Sequence, residues 1–229
     1  MLDQLLNIDK TVFLSMNGSE SLVLDNFALT EISHFAWIPF ILAVIFLIIK
    51  TNNLKKSLII FTLLGILYFV CDFFVSFFLQ SYFARLRPVH DLYFSDKVDT
   101  VNSLTGGIHG FFSNQASGLM GICLYLSLQV RSTKFFLTLL CWTLLHSWVT
   151  IYLGFYYPSD VLVGFMWGAV FGFLTYFTYY KIVKIFFEFH FHESLQCTKT
   201  GYFYVDVNFV MFVFLMNIIG ILIISLFKF

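Results

Sequence analysis

The chain has 229 residues, of which 59% are apolar, 21% aromatic and 11% charged, with a mean hydropathy of +0.86. A soluble domain runs at about 45–50% apolar and about 25% charged, so a water-soluble globule and a disordered chain are both excluded. Thirteen Lys and Arg balance thirteen Asp and Glu, which removes the basic excess a nucleic-acid partner needs. An integral membrane protein with the lipid bilayer as its partner remains.

In chain order, the first twenty residues set Leu2, Leu5, Leu6, Val12, Phe13 and Met16 among Asp3, Asn7, Asp9, Lys10 and Asn17. That mixture predicts an amphipathic helix lying in the membrane interface. Apolar stretches follow at about 34–50, 57–80, 113–130, 135–154 and 159–180, with a sixth at about 207–227. Each approaches the roughly 20 residues needed to cross a bilayer. Asp72 falls inside the second stretch. An ionisable residue there is a functional candidate, against a purely structural hydrogen bond inside the bundle. Lys50, Lys55, Lys56, Arg131, Lys134, Lys181, Lys184 and Lys199 all fall in connections on one face. The bias of basic residues toward the cytoplasm places that face inside. The N-terminal helix, the long loop 81–112 and the turn 155–159 then face outward. Residues 187–192 and 202–206 alternate with period two around turn formers, predicting a surface β-hairpin. Cys71, Cys123, Cys141 and Cys197 show no ligand spacing and read as free thiols. The pair His190 and His192 reads as interfacial, so neither metal nor cofactor is expected.

Three strings at the outer ends of the spans carry a resemblance: Arg85-Leu86-Arg87-Pro88, then Phe111-Phe112-Ser113-Asn114-Gln115-Ala116, then Ile151-Tyr152-Leu153-Gly154-Phe155-Tyr156-Tyr157-Pro158-Ser159-Asp160-Val161-Leu162. In order and spacing they resemble the type 2 phosphatidic acid phosphatase/haloperoxidase superfamily, in particular its short bacterial membrane members. That family's pattern is KxxxxxxRP, PSGH and SRxxxxxHxxxD. The resemblance covers about residues 1–185 and includes the opening Leu6 to Gly18. It implies a nucleophilic His oriented by an Asp, a second His that protonates the leaving group, and cations on the phosphoryl oxygens.

Position by position, the pattern's Lys is Gln80, its Arg-Pro is kept as Arg87-Pro88, and PSGH reads Phe112-Ser113-Asn114-Gln115. The SR pair is Val149-Thr150, the nucleophile is Tyr156, and the Asp is kept as Asp160. An amide cannot act as an acid, and a phenol titrates near 10. The resemblance therefore implies a site with no active catalytic residues at Gln80, Arg87, Ser113, Asn114, Gln115, Thr150, Tyr156 and Asp160. Arg85 and Arg87 read as headgroup contacts or as partners of Asp160 or Asp91, with an Arg87–Asp160 pair favoured.

The expected architecture is an all-α membrane bundle. An interfacial helix and five core spans of phosphatidic-acid-phosphatase type occupy 1–185. An extension at 186–229 adds the hairpin and a sixth span. Asn217 in mid-span needs a polar partner, which predicts that residues 200–229 dock on another membrane protein or another copy. Three functions fit this reading in a bacterial inner membrane. One is a catalytically degenerate scaffold or accessory subunit with lipid in the old pocket. Another is an active lipid phosphatase with rearranged residues, using His90 or His109. The third is a lipid transporter.

Overall fold

The computed structural model describes residues 2–186 and 195–227. These form eight helices and no strand: α1 (Leu2–Met16), α2 (Leu22–Glu31), α3 (Ile38–Thr51), α4 (Leu54–Phe83), α5 (Asn114–Val130), α6 (Thr133–Tyr152), α7 (Pro158–Phe186) and α8 (Tyr204–Phe227). Helix α3, with the 3₁₀ turn His34–Trp37 before it, and helices α4, α6, α7 and α8 are each long and apolar enough to cross a membrane. Helix α5 has 17 residues, at the lower end of the length that spans. The expected all-α membrane bundle is what the chain forms.

Local chemistry sets the helix starts. The Ser21 hydroxyl caps α2 by accepting from Leu24 N, and the Ser113 hydroxyl caps α5 by accepting from Ala116 N. Pro158 opens α7 with its φ already set for the first turn.

Helices α5 and α7 form the centre. Gly164, Gly168 and Gly172 recur every fourth residue on one stripe of α7. A Cβ at Gly168 would lie 2.2 Å from the Ser117 carbonyl oxygen, and one at Gly172 would lie 2.6 Å from that of Gly121. Only bare backbone allows so close an approach. In lipid, where apolar surface drives no association between helices, such close packing is what holds them together.

The C-terminal span packs onto the same chain. Phe214 sits among Trp37 and Phe40, with ring centroids 6.1 and 5.2 Å away. The Asn217 amide donates to the Ala36 carbonyl at 2.6 Å. The partner expected from Asn217 is therefore a backbone carbonyl within the 3₁₀ turn His34–Trp37 of this chain, and no second protein is needed to satisfy it.

The hairpin expectation is corrected in its second half. Tyr204 to Asp206 are the first turn of α8, and Cys197 with Phe203 makes one isolated bridge. The Phe203 carbonyl accepts from Asp206 N and Val207 N. The acidic Asp206 suits a helix N-terminus, and the apolar run behind it propagates as helix. Residues 187–192, with His190 and His192, lie outside the described residues.

The two ends of the bundle differ in chemistry. At one end Lys50 pairs with Asp206 at 2.7 Å and Lys134 donates to Asn208. At the other, Lys10 pairs with Asp91 at 2.8 Å, and Asp9, Arg85 and Asp160 meet. There α1 is fastened over the start of α7.

Overpacking a tight contact typically costs 1–3 kcal/mol. Gly168→Ala is expected to lower the thermal midpoint in detergent by several degrees. Gly220→Ala, where nothing lies within 4 Å of the added carbon, should leave it unchanged or raise it. Equal midpoints for the two variants would overturn the role given to the stripe.

Candidate functional site

The end of α4, the loop 84–112, the start of α5 and the turn between α6 and α7 converge. The Ser113 amide donates to the Asp160 carbonyl at 3.0 Å, which ties the α5 cap directly to the first turn of α7. Arg87 enters this junction from extended backbone. Its amide donates to the Ile108 carbonyl and its Nε to the His109 carbonyl, both at 3.0 Å. Its guanidinium lies against Gly106, where a Cβ would fall 1.9 Å from Nη1. The His90 ring is held to the Gly106 carbonyl at 3.2 Å, so both loop histidines belong to segments that touch Arg87.

Arg87 then starts a relay of hydrogen bonds. Its Nη2 donates to the Tyr156 hydroxyl at 3.0 Å, which donates to Asn114 Oδ1 at 2.5 Å. Asn114 Nδ2 in turn donates to Asp72 Oδ1. The Gln80 amide reaches the Phe112 carbonyl at 2.9 Å and Asn114 Oδ1 at 3.4 Å. Gln80, Arg87, Asn114 and Tyr156 are thus brought together. Ser113 serves as the helix cap. Gln115 stands beside Asn114, and its buried Oε1 has no hydrogen-bond partner among the described residues. Thr150 turns its hydroxyl back to the Ser147 carbonyl at 2.8 Å and makes no described contact with Arg87.

The favoured Arg87–Asp160 pair does not form. Asp160, fully buried, accepts from Arg85 Nη1 at 2.6 Å and from the Tyr157 amide at 3.2 Å. Arg85 also pairs with Asp9 at 2.8 Å, and Asp9 accepts from the Ser159 amide at 2.9 Å. The reason is a carboxylate from α1. Asp9 and Asp160 together form a site for one guanidinium, and Arg85 stacks over the Tyr157 ring, 4.5 Å from its centroid, as it fills that site. Arg87 is 9% exposed, and no carboxylate lies within ion-pair distance of it among the described residues.

Burial pushes the Tyr156 phenol above its usual value, and the Arg87 charge pulls it back only in part. Asp91, on the loop beside Lys10, is held below the usual carboxylate range: burial raises it, but the Lys10 hydrogen bond and charge, with hydrogen bonds from the Tyr93 amide and the Tyr157 hydroxyl, together outweigh that. The Lys10–Asp91 contact therefore contributes stability at neutral pH and loses it as acid protonates Asp91.

A transmembrane helical bundle in which these three strings converge on a buried arginine is a membrane protein with a built polar site at one end of the bundle. The PAP2 superfamily pattern matches residues 56–184, and the chain belongs to that superfamily. It is 27% identical over 178 residues to a lipid A 4'-phosphatase of Porphyromonas gingivalis, covering 78% of this chain and 75% of the relative. A lipid A 4'-phosphatase of Bacteroides thetaiotaomicron is 27% identical over 183 residues, covering 80% and 81%. No solved structure gives a significant match.

The geometry separates the two arginines. Removing Arg85 strands the buried Asp160, and breaking a buried pair costs of order 3–5 kcal/mol. Arg85→Gln is expected to destabilise the protein clearly more than Arg87→Gln, and Asp160→Asn should restore much of the loss in the Arg85→Gln background. Thermal unfolding in detergent reads this directly. A larger loss for Arg87→Gln would reverse the assignment.

Proposed function

We propose that this chain is a bacterial membrane protein that takes the phosphate of a phosphorylated lipid headgroup at Arg87, and that it acts as a lipid phosphatase with rearranged catalytic residues. The observation that carries the reading is the buried guanidinium without a carboxylate. A buried cation lacking a counter-ion is costly, and a lipid phosphate supplies the missing charge in the bidentate form that arginine suits. The relatives, both lipid A 4'-phosphatases, support a phosphorylated lipid of that class as substrate. The groups left to carry the chemistry are His90 and His109, whose segments flank Arg87. An imidazole attacking phosphorus would form a P–N bond and break the bond to the lipid oxygen, which leaves as the alcohol by taking the proton the attacking imidazole loses, relayed through water. Water would then release inorganic phosphate from the imidazole. The end carrying Arg87 faces outward, with the Lys-rich connections in the cytoplasm, as the distribution of basic residues supports.

A second reading, a catalytically silent scaffold that binds the lipid and does not hydrolyse it, draws on Tyr156 and Gln115. At the two positions where the family places histidine, this chain has a buried phenol with a raised pKa and an amide.

The experiment is phosphate release from lipid A carrying a 4'-phosphate, alongside equilibrium binding of that lipid, with the purified protein in detergent. Active enzyme requires release that falls at least about 10²-fold in Arg87→Gln and in one of His90→Ala or His109→Ala. Binding lost in Arg87→Gln with no release from the wild-type protein selects the silent form. Binding untouched by Arg87→Gln sinks both.

A further inference from the structure

A cavity of about 450 Å³ opens beside the Arg87 site, between α3, α4, α5 and α6. That volume suits a small ligand or a lipid headgroup. Its polar end is made by Asp72, Asn114, Gln115, His34 and His146, and Trp37 and Trp142 are among the rings on its walls. No Lys or Arg lines it. Its electrostatic character is the opposite of that around Arg87.

Three observations mark it as a built site. First, α4 widens into π-helical turns at Phe69–Phe73 and Val75–Leu79. Asp72 lies in the first of these, and such turns are rare and concentrate at functional positions. A carboxylate at membrane depth is itself expensive and calls for a partner. Asp72 has the Asn114 amide and the Tyr68 hydroxyl as hydrogen-bond partners but no cation within ion-pair distance among the described residues. Second, His146 is not loose packing. Its Nδ1 lies 3.0 Å from Glu31, a carboxylate with no exposed surface. A carboxylate that grips one ring nitrogen orients the other. Third, two polar atoms of the lining residues are buried with no hydrogen-bond partner among the described residues: the acceptor Gln115 Oε1 and the donor Trp142 Nε1. Buried polar groups are rarely left unmet.

We propose that this cavity is a second ligand site that takes the primary-ammonium head of an amphiphile. An ammonium carries three donors and no acceptor. Asp72 supplies the acceptor for it, and the indoles of Trp37 and Trp142 line the same space, where an aromatic ring attracts a cation. The apolar walls, Ile41, Leu119 and Ile122 among them, take the start of an alkyl chain. A phosphate has no place here, since Asp72 and the Glu31 behind His146 repel it. Asn114 is the shared wall: one end of its amide faces Asp72 and the other faces Tyr156 and, through it, Arg87. The two sites are adjacent but opposite in charge.

The test uses the full chain in a non-ionic detergent, with dodecylamine, dodecanol and dodecyl phosphate as probes. Trp37 and Trp142 line the cavity, so quenching of intrinsic fluorescence reports occupancy, and native mass spectrometry counts the bound molecules. Dodecylamine is expected to bind saturably at one copy. Asp72→Asn, which keeps shape and removes charge, should weaken it about tenfold or more, the size of a charge-assisted hydrogen bond. Arg131→Gln, at the opposite end of α5 where it donates to Tyr176, should change it less than about twofold. Equal binding of dodecanol, or amine binding untouched by Asp72→Asn, would overturn the proposal. Dodecyl phosphate competing for the same place would show instead an acyl channel serving Arg87. If Asp72→Asn does not fold, Trp142→Phe replaces it. That variant should weaken amine binding while Trp148→Phe, away from the cavity, does not, and equal effects would also overturn the proposal. Failure here leaves the Arg87 reading standing, because that rests on a different probe and a different residue.

Discussion

The closeness of α5 to α7 is the constraint on which everything else depends. Three glycines on α7 let its backbone touch the carbonyls of Ser113, Ser117 and Gly121. Without a side chain between them, the two helices keep one register, and the Ser113 amide reaches the Asp160 carbonyl. That single alignment sets Asn114 and Gln115 opposite the turn carrying Tyr156. It also holds the first turn of α7 where α1 can fasten onto it through Asp9. A bundle in lipid has no hydrophobic effect to correct a loose seam, so geometry alone has to hold this register.

The seam brings charges together, and the chain divides them unequally. Arg85, Asp9, Asp160 and Ser159 form a closed group in which every formal charge meets an opposite one. That group fastens the interfacial helix and has a structural role. Arg87, two residues along, is left with a carbonyl, a phenol and glycine backbone. Asp160 belongs to the structural group, and Arg87 keeps its open valence. The contrast explains how the pocket stays ordered around an arginine that no carboxylate neutralises.

Much of this was legible in the residues. Hydropathy located the spans, and the three motif strings pointed to the segments that carry Arg87, Asn114 and Tyr156, although Asp160 and Thr150, expected beside Arg87, turn to other partners. The choice of partner for Asp160 was not legible. Arg85 and Arg87 stand two apart, and spacing offers either one to Asp160. Asp9 decides it from 76 positions away, and no local pattern records that contact. The same limit applies to Asn217, whose partner is the Ala36 carbonyl 181 positions earlier. The strand-like alternation at 202–206 misled because it covers only five residues, and the long apolar run after it favours helix. The glycine stripe is different. Gly164, Gly168 and Gly172 show a spacing of four that signals close helix contact, yet hydropathy averaged over 159–180 conceals it. Glu31 and His146, 115 positions apart, could not have been joined without the fold.

The two helices of the seam are unequal in length. At about 1.5 Å per residue, the 29 residues of α7 rise about 43 Å, and the 17 of α5 about 26 Å. A bilayer's hydrocarbon core is about 30 Å thick. Gly164, the seventh residue of α7, sits against Ser113 just ahead of α5, so α7 extends past α5 at both ends and is longer than that core by about a dozen ångströms; Tyr179, Tyr180, Lys181 and Lys184 lie on its C-terminal stretch. Such mismatch is met by tilting or by local thinning of the lipid. Because the seam is rigid, tilting α7 tilts α5 and the Arg87 pocket with it. The depth of that pocket below the headgroups is therefore coupled to the thickness of the membrane around it.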